Sequence, residues 1–165
     1  MIPSSTEPDA NLVLEALLPL PLGAALGQRH LEQIARIGAL IDHPAETVLC
    51  ERGTPAETLQ VLLSGRVSLT LDVPGREAAT MVALSRGDVL GWSALCGWAA
   101  TSTWTMTARA TKACRCLHIP GAALRALCDH DHEFGFQMMR FAFEVLAQRL
   151  EDCRVQQLDM YGESA

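Results

Sequence analysis

Short segments with a two-residue apolar period restrict the fold of this chain more than any other feature. Their Val, Leu and Thr residues favour strands, and turn-forming sequences that contain glycine or proline separate them. Short strands at such close and even spacing are typical of an antiparallel sandwich or barrel. The predicted strands are Val48–Cys50, Thr58–Ser64, Val67–Val73, Ala79–Leu84, Thr103–Ala110 and Ala113–Ile119.

Helical patterns flank these strands on both sides. Apolar residues at three- to four-residue spacing predict two short helices, Asn11–Leu18 and Gln28–Leu40. After Pro120 the pattern predicts a short helix, Ala122–Cys128, and a long helix over about 132–160. The predicted fold class is therefore α+β: an antiparallel β-roll, in the form of a double-stranded jelly-roll barrel, flanked by N-terminal helices and a long C-terminal helix.

Length and composition indicate one globular domain. The 165 residues predict a flexible N-terminus at 1–10 and a single folded unit at 11–165. Apolar residues make up 49% of the chain and charged residues 19%, which excludes a disordered class. The net charge of −6 and a single lysine, Lys112, argue against DNA binding, because a nucleic-acid-binding surface is basic.

Export and membrane insertion are not expected either. The first ten residues lack both the basic and the apolar region of a secretory signal. The most apolar segment, Leu12–Leu26, is interrupted by Glu15, Pro19 and Pro21 and is too short to cross a bilayer. We therefore expect a cytoplasmic protein without membrane contact.

The cysteines are expected to be reduced and mostly buried, because a domain of this size without an export signal does not need disulfides. Cys114 and Cys116 share one face of a strand but lack an obvious partner pair, so no metal site is predicted. The run from Cys128 to His132 is interpreted as turn residues, with Asp131 or His132 capping the long helix. The six cysteines are Cys50, Cys96, Cys114, Cys116, Cys128 and Cys153.

Five short motifs occur in an order that is known from one family. They are the glycine corner Glu51–Ala56, the Ser-Gly-Arg-Val segment within Leu62–Val67, the hairpin tip Pro74–Glu77, the Gly-Asp-Val-Leu-Gly run Gly87–Gly91, and the strand segment Ala108–Ala110. Together they resemble the cyclic-nucleotide-binding domain of catabolite-activator-type regulators, from about Leu14 to Tyr161. The chain also resembles a branch of stand-alone bacterial homologues.

The resemblance implies a phosphate-binding cassette that begins near Gly91. In the family, a glutamate directly after that glycine binds the ribose, and an arginine about a dozen residues later clamps the cyclic phosphate. Here Trp92 stands at the glutamate position and Trp104 at the arginine position. A slip of one residue would instead place Thr103 or Thr105 there. The cassette is therefore interpreted as degenerate.

Loss of the arginine removes charge recognition. No arginine occurs between Arg86 and Arg109, and each charge-assisted hydrogen bond contributes about 1.5–3 kcal/mol. An indole offers one donor and no charge. We therefore predict no micromolar binding of cAMP or cGMP; a guanidinium group from elsewhere above this turn would contradict that.

The indoles either fill the vacated pocket or line it for an apolar, aromatic or cationic ligand. The candidate ligand-binding residues are Gly91, Trp92, Ser93, Ala94, Leu95, Trp104 and Thr105.

The resemblance also implies a dimer seam on the long helix. Apolar residues form a stripe that either pairs with a second copy or packs on the chain's own barrel. Without a partner, we expect Met138, Phe141 and Val145 to lie in water. The sequence ends at Ala165, before any helix-turn-helix, so no DNA-binding module is expected. The predicted dimer-interface residues are Met138, Phe141, Val145, Leu146, Leu150 and Cys153.

The predicted function is a non-catalytic regulatory or sensor module without cofactor, acting through contacts with a protein partner that the sequence does not identify. Ser93 opens a turn but lacks the glycine elbow of a nucleophile. Two alternatives remain open. One is a nucleotide or other small-ligand sensor with altered selectivity, which uses the backbone amides of Trp92–Leu95. The other is a structural subunit of a larger complex.

Overall fold

The computed structural model describes residues 7–71, 79–95 and 102–162. The helices are α1 (Glu7–Leu17), α2 (Pro21–Leu26), α3 (Gln28–Ile37), α4 (Gly121–His130) and α5 (His132–Gly162), with a 3-10 helix at Trp92–Leu95. The strands are β1 (Ala39–His43), β2 (Val48–Cys50), β3 (Thr58–Leu71), β4 (Ala79–Leu84), β5 (Val89–Leu90) and β6 (Thr107–Pro120). The predicted hairpin tip Pro74–Glu77 and Cys96 lie outside these residues.

The described strands form one antiparallel sheet of six strands in the order β1-β6-β3-β4, with β2 paired to β6 and β5 paired to β3. The two long strands β3 and β6 pair from Thr58 opposite Pro120 to Thr70 opposite Thr107. Helices lie at both ends of the chain. The predicted α+β fold class, an antiparallel β-roll flanked by helices, is thereby confirmed.

Two predicted strand boundaries are wrong. The sequence predicted a hairpin turn at Ser64–Gly65, but β3 continues through it with register shifts near these residues. Gly65 does adopt a positive φ of 88°, and a Cβ there would lie 2.3 Å from the carbonyl oxygen of Ala113. The glycine therefore bends a continuous strand against β6 rather than ending it. The two strands predicted at 103–110 and 113–119 likewise fall on one strand, β6, which begins at Thr107 rather than at Thr103.

The helix boundaries also differ from the sequence prediction. Helix α1 begins at Glu7 rather than at Asn11. The segment Pro21–Leu26, which lies between the two predicted N-terminal helices, is helical as well. Proline fits the first helical turn, because the N–H that it lacks would have no partner there. Helix α3 ends at Ile37 and the chain turns into β1, which the sequence analysis missed.

The start of α5 agrees with the predicted cap. Asp131 precedes the helix, and its Oδ1 accepts a hydrogen bond from the backbone N–H of Phe134 at 3.1 Å. This contact satisfies one of the free amides of the first helical turn. The backbone hydrogen bond from Phe134 also holds the pKa of the Asp131 carboxyl below its ordinary value.

Buried apolar side chains form two clusters, which β5 separates: Val89 joins one and Leu90 the other. The helical cluster contains Val13, Leu17, Leu20, Leu22, Leu26, Leu31, Ile34, Ala35, Leu59, Val61, Val89, Trp92, Leu117, Ile119, Leu124, Phe134, Met138, Phe141 and Ala142. The barrel cluster contains Cys50, Ala56, Leu62, Val67, Leu69, Leu84, Leu90, Trp104, Ala108, Ala110, Cys114 and Cys116.

The five cysteines within the described residues are free thiols. Cys50, Cys114 and Cys116 are buried, whereas Cys128 and Cys153 are half-buried. Burial raises the pKa of Cys50 to about 11 and that of Cys116 to about 12, so that both thiols keep their protons at neutral pH. The prediction of mostly buried cysteines is confirmed for these residues.

Candidate functional site

A tight turn positions the candidate cassette beside β3. The amide of Ser85 donates to Oδ2 of Asp88 at 2.7 Å, and the amide of Asp88 donates back to the Ser85 carbonyl at 3.0 Å. The amide of Leu62 in β3 donates to the carbonyl of Asp88, and the amide of Gly87 donates to the carbonyl of Leu62. These bonds fix the strand β5 that leads into the cassette.

Gly91 tolerates no side chain. Its φ is 90°, and a Cβ there would lie 2.3 Å from the carbonyl oxygen of Thr58 and 2.8 Å from Cη2 of Trp104. Backbone and indole therefore both occupy the space around this residue. The 3-10 helix follows directly, and the amide of Ala94 donates to the Gly91 carbonyl at 2.9 Å. The amide of Ala94 is thus used within the protein.

Trp104 packs its indole directly against the backbone of Gly91. Only 9% of the residue is exposed, and it belongs to the barrel cluster together with Leu62 and Leu90. Its amide donates to the Thr54 carbonyl at 2.9 Å, and its carbonyl accepts from the Gly53 amide at 2.8 Å. The ring therefore fills space beside the cassette and is held there by the first glycine corner.

Trp92 points into the other cluster. It is also 9% exposed, and its ring lies 6.0 Å from that of Phe141 in α5, at an interplanar angle of 57°. The two tryptophans that the sequence placed in one pocket thus pack into two different clusters. Of the two readings left open by the sequence, this arrangement favours indoles that fill space.

The remaining predicted ligand-binding residues differ in accessibility. Ala94 is fully buried, Ser93 and Leu95 are half-buried, and Thr105 is exposed. Gly121, at the start of α4, approaches the cassette so closely that a Cβ there would lie 2.7 Å from the carbonyl oxygen of Ala94. The cassette is therefore packed directly against the C-terminal helices.

Two arginines from those helices reach the cassette, which the sequence analysis did not foresee. Arg125 in α4 donates through Nη1 to the carbonyl of Ala94, and Arg149 in α5 donates through Nη2 to the carbonyl of Val89. Burial lowers the pKa of Arg149, and the nearby carboxylate of Asp88 partly offsets this effect. Both guanidinium groups thus bind carbonyls at the two ends of the cassette. The sequence-based argument that no guanidinium group from elsewhere reaches this turn is therefore wrong, and the absence of micromolar cAMP or cGMP binding stays a prediction. The spacing of residues along α4 and α5 does not predict which carbonyls these two arginines contact.

An open groove of about 610 Å³ begins at the end of the cassette and continues between α4 and α5. Its walls combine a cation, a carboxylate and apolar side chains. They are Leu95, Arg125, Cys128, Asp129, His132, Gly135, Phe136 and Met139. Cys128, Asp129 and His132, which the sequence analysis interpreted as turn residues, thus line a groove beside the cassette.

The predicted dimer stripe is divided between two faces of α5. The premise that Met138, Phe141 and Val145 need a partner is wrong: Met138 and Phe141 are buried in the helical cluster, and Val145 packs against it. They belong to the inner face, because α5 lies on the chain's own core. The inner face consists of Phe134, Met138, Phe141, Ala142 and Val145.

The outer face of α5 is also apolar but exposed. Its residues recur at alternating spacings of three and four, the a and d pattern of a coiled coil, and Cys153 continues the pattern. Leu146 and Leu150 were predicted, whereas Phe136, Met139 and Phe143 were missed although the same spacing could have identified them. The outer face consists of Phe136, Met139, Phe143, Leu146 and Leu150, which are 67, 52, 74, 47 and 55% exposed.

Residues 40–131, more than half of the chain, match the family model described as the cyclic nucleotide-binding domain. A crystal structure of a protein from Geobacter metallireducens, described as cyclic nucleotide-binding, is 27% identical, with a TM-score of 0.71 and coverage of 82% of this chain and 96% of that one. No curated protein matches significantly.

Two further structures share the fold at lower identity. A cyclic nucleotide-binding domain from Methylobacillus flagellatus is 16% identical, with a TM-score of 0.76 and coverage of 92% of this chain and 83% of that one. The regulatory domain of Toxoplasma gondii PKA, crystallised with cAMP, is 20% identical, with a TM-score of 0.61 and coverage of 74% of this chain and 45% of that one.

Among the described residues, none of the helices combines the length and apolarity needed to cross a bilayer.

Proposed function

Because this chain belongs to the cyclic nucleotide-binding domain family, we propose that it is a non-catalytic regulatory module that does not hold cAMP or cGMP in the usual way and acts through protein contacts. The observation that carries the proposal is the position of Trp104. Its buried indole lies against Gly91, at the entrance to the cassette where the family's ligand would be held.

A nucleotide in that position would have to displace the ring. An aromatic side chain of this size buries about 150–250 Å², so exposing it costs about 4–6 kcal/mol at 25 cal/mol per Å². The ligand would also lack the charge-assisted hydrogen bonds of the missing arginine, each contributing about 1.5–3 kcal/mol. Together these effects remove several powers of ten from the affinity for a cyclic phosphate.

The connection between the cassette and α5 supports a regulatory output. Arg149 and Trp92 join the cassette to this helix, through the Val89 carbonyl and the Phe141 ring respectively. A ligand that binds near the cassette more tightly in one position of α5 than in another would shift the equilibrium between these two positions. A partner protein that contacts α5 would then sense the change.

A second copy of the chain is the proposed partner for the outer face of α5. Five large apolar side chains at a and d spacing form a seam that two antiparallel or parallel helices can bury together. Leaving so continuous a patch in water is unusual for a monomeric protein. A light-scattering mass equal to one protomer at working concentration would remove this part of the proposal.

A second candidate function is a nucleotide or small-anion sensor with altered selectivity. Arg125 favours it, because this guanidinium group lines the groove next to Leu95 while it contacts the cassette. A guanidinium group has five N–H donors, so Arg125 has donor capacity beyond its bond to Ala94. In this alternative the phosphate lies in the groove, outside the barrel that Trp104 fills.

One calorimetric experiment separates the two candidates. The wild type and the Arg125→Gln variant are titrated with cAMP and cGMP, and Arg140→Gln, which removes an exposed cation on α5, is the matched control. The first proposal predicts no saturable heat at micromolar concentrations in any of the three proteins. Binding that only Arg125→Gln abolishes supports the second candidate. Binding that all three proteins share contradicts both.

A further inference from the structure

One thiol and two imidazoles meet where β1 pairs with β6. Nε2 of His43 lies 3.0 Å from Nε2 of His118. The Sγ of Cys116 and a ring nitrogen of each histidine all lie within 4.8 Å of one another. Cys114, Cys116 and His118 point to the same face of β6 because side chains alternate along a strand, and His43 stands opposite Cys114 in the register.

The distance between the two histidine nitrogens is close to that in a tetrahedral metal site. Zn–N bonds of about 2.0–2.1 Å and Zn–S bonds of about 2.3 Å place two nitrogens roughly 3.3 Å apart and a nitrogen and a sulfur roughly 3.6 Å apart. The two imidazole nitrogens are already close to this separation, and the Cys116 sulfur lies within 4.8 Å of both. We propose that His43, Cys116 and His118 form a binding site for Zn²⁺ or a similar transition-metal cation.

The ligand set determines the class of metal. Two imidazoles and a thiolate suit Zn²⁺, Co²⁺ and Cu, whereas Mg²⁺ and Ca²⁺ prefer oxygen ligands. A bound cation displaces the proton of the Cys116 thiol, so that metal binding releases a proton. Three protein ligands leave a fourth position, which Cys114 or a water molecule can fill.

The surroundings hold β1 against β6, and an open pocket reaches His43 at one side of the cluster. Arg115 forms two hydrogen bonds with the carboxylate of Asp42, at 2.6 and 2.7 Å. This pair ties β1 to β6 in the register that sets His43 opposite Cys114. An open pocket of about 470 Å³, lined in part by His43, Cys114 and Arg115, lies beside the cluster. Cys116 itself is completely buried, which protects the sulfur from solvent.

Titration of the metal-free protein with Zn²⁺ and Co²⁺ tests the proposal. We expect one equivalent per protomer, and near-ultraviolet thiolate-to-cobalt absorption in the Co²⁺ form. The variants His43→Gln and Cys116→Ala should each weaken binding at least about 100-fold, because even residues outside the ligand shell typically change metal affinity 10–100-fold. His43 lies on β1, the terminal strand of the described sheet order, so the substitution His43→Gln leaves the buried core intact.

Matched controls separate this site from other ligands of the same types. Cys50→Ala removes a buried thiol on β2, and His130→Gln removes an exposed imidazole on α4. Both controls should bind one equivalent with unchanged affinity and absorption. Absence of binding in the wild type overturns the proposal. So does binding that His43→Gln and Cys116→Ala leave unchanged, since this would place the metal elsewhere, for example at His30 and Asp131.

Discussion

The two faces of α5 carry side chains of the same kind in opposite surroundings. Phe134 on the inner face is completely buried, whereas Phe143 on the outer face is 74% exposed. The inner face meets the chain's own core, whereas the outer face stays largely uncovered among the described residues of the protomer, with Phe136 and Met139 bordering the groove beside α4. Apolar periodicity therefore identifies a helix face that must be buried, but it does not indicate whether that face packs against the same chain or against another one.

The largest expected effect comes from the inner face. Phe134→Ala should lower the free energy of unfolding by about 3–5 kcal/mol, because it removes buried contacts and leaves a cavity. Phe143→Ala, the same change on the outer face, should alter it by less than about 0.5 kcal/mol in protein dilute enough to be monomeric. Urea unfolding measures both values. Equal losses from the two substitutions would contradict the division into faces.

The outer face should control association rather than folding. Phe143→Glu combined with Leu146→Glu places charges in the proposed seam, and the dimer dissociation constant should rise at least about 30-fold, as expected for a loss of 2 kcal/mol at an interface hot spot. Light scattering across a dilution series measures the change. Gln148→Glu, an exposed position opposite the a and d stripe, is the control and should leave the mass unchanged. A double variant that keeps the wild-type mass excludes the seam.

The smallest expected effect concerns the connection between α5 and the cassette. Arg149→Gln removes a charge-assisted hydrogen bond to the Val89 carbonyl, and the local stability should fall by at most about 1.5 kcal/mol, the lower end of the range for such bonds, because glutamine keeps an N–H donor. Hydrogen exchange should then become faster in β5 and in the 3-10 helix. Arg154→Gln, which loses only an exposed pairing with Glu151, should leave exchange there unchanged. Unchanged exchange in Arg149→Gln would mean that this contact does not couple the helix to the cassette.

The fold could be predicted from the sequence because strand periodicity, glycine positions and helical stripes are local signals. Gly91 is an example of a position that the motif located correctly, although the groups packed against it are the Thr58 carbonyl and the Trp104 ring of the same chain. Gly65 shows the limit of such signals. The sequence indicated a break between two strands here, but a bend within a paired strand and a hairpin turn use the same positive φ.

The candidate site was predictable only in part. The cassette segment could be located from its motif. The two tryptophans that were assigned to its pocket, Trp92 and Trp104, nevertheless pack into separate clusters. The arginines at the ends of the cassette come from α4 and α5, 31 and 60 residues away from the carbonyls that they bind. A sequence motif carries no information about contacts that the packing of distant helices creates.

The sequence alone predicted most of the strands and the presence of apolar residues on the long helix, because each depends on residues a few positions apart. The tertiary packing determines which face of α5 lies on the core and into which cluster each indole packs. It also brought His43 to His118, 75 residues further along the chain. Such choices depend on the pairing of β1 with β6 and on the docking of helices over the sheet, which act between segments that are distant in sequence.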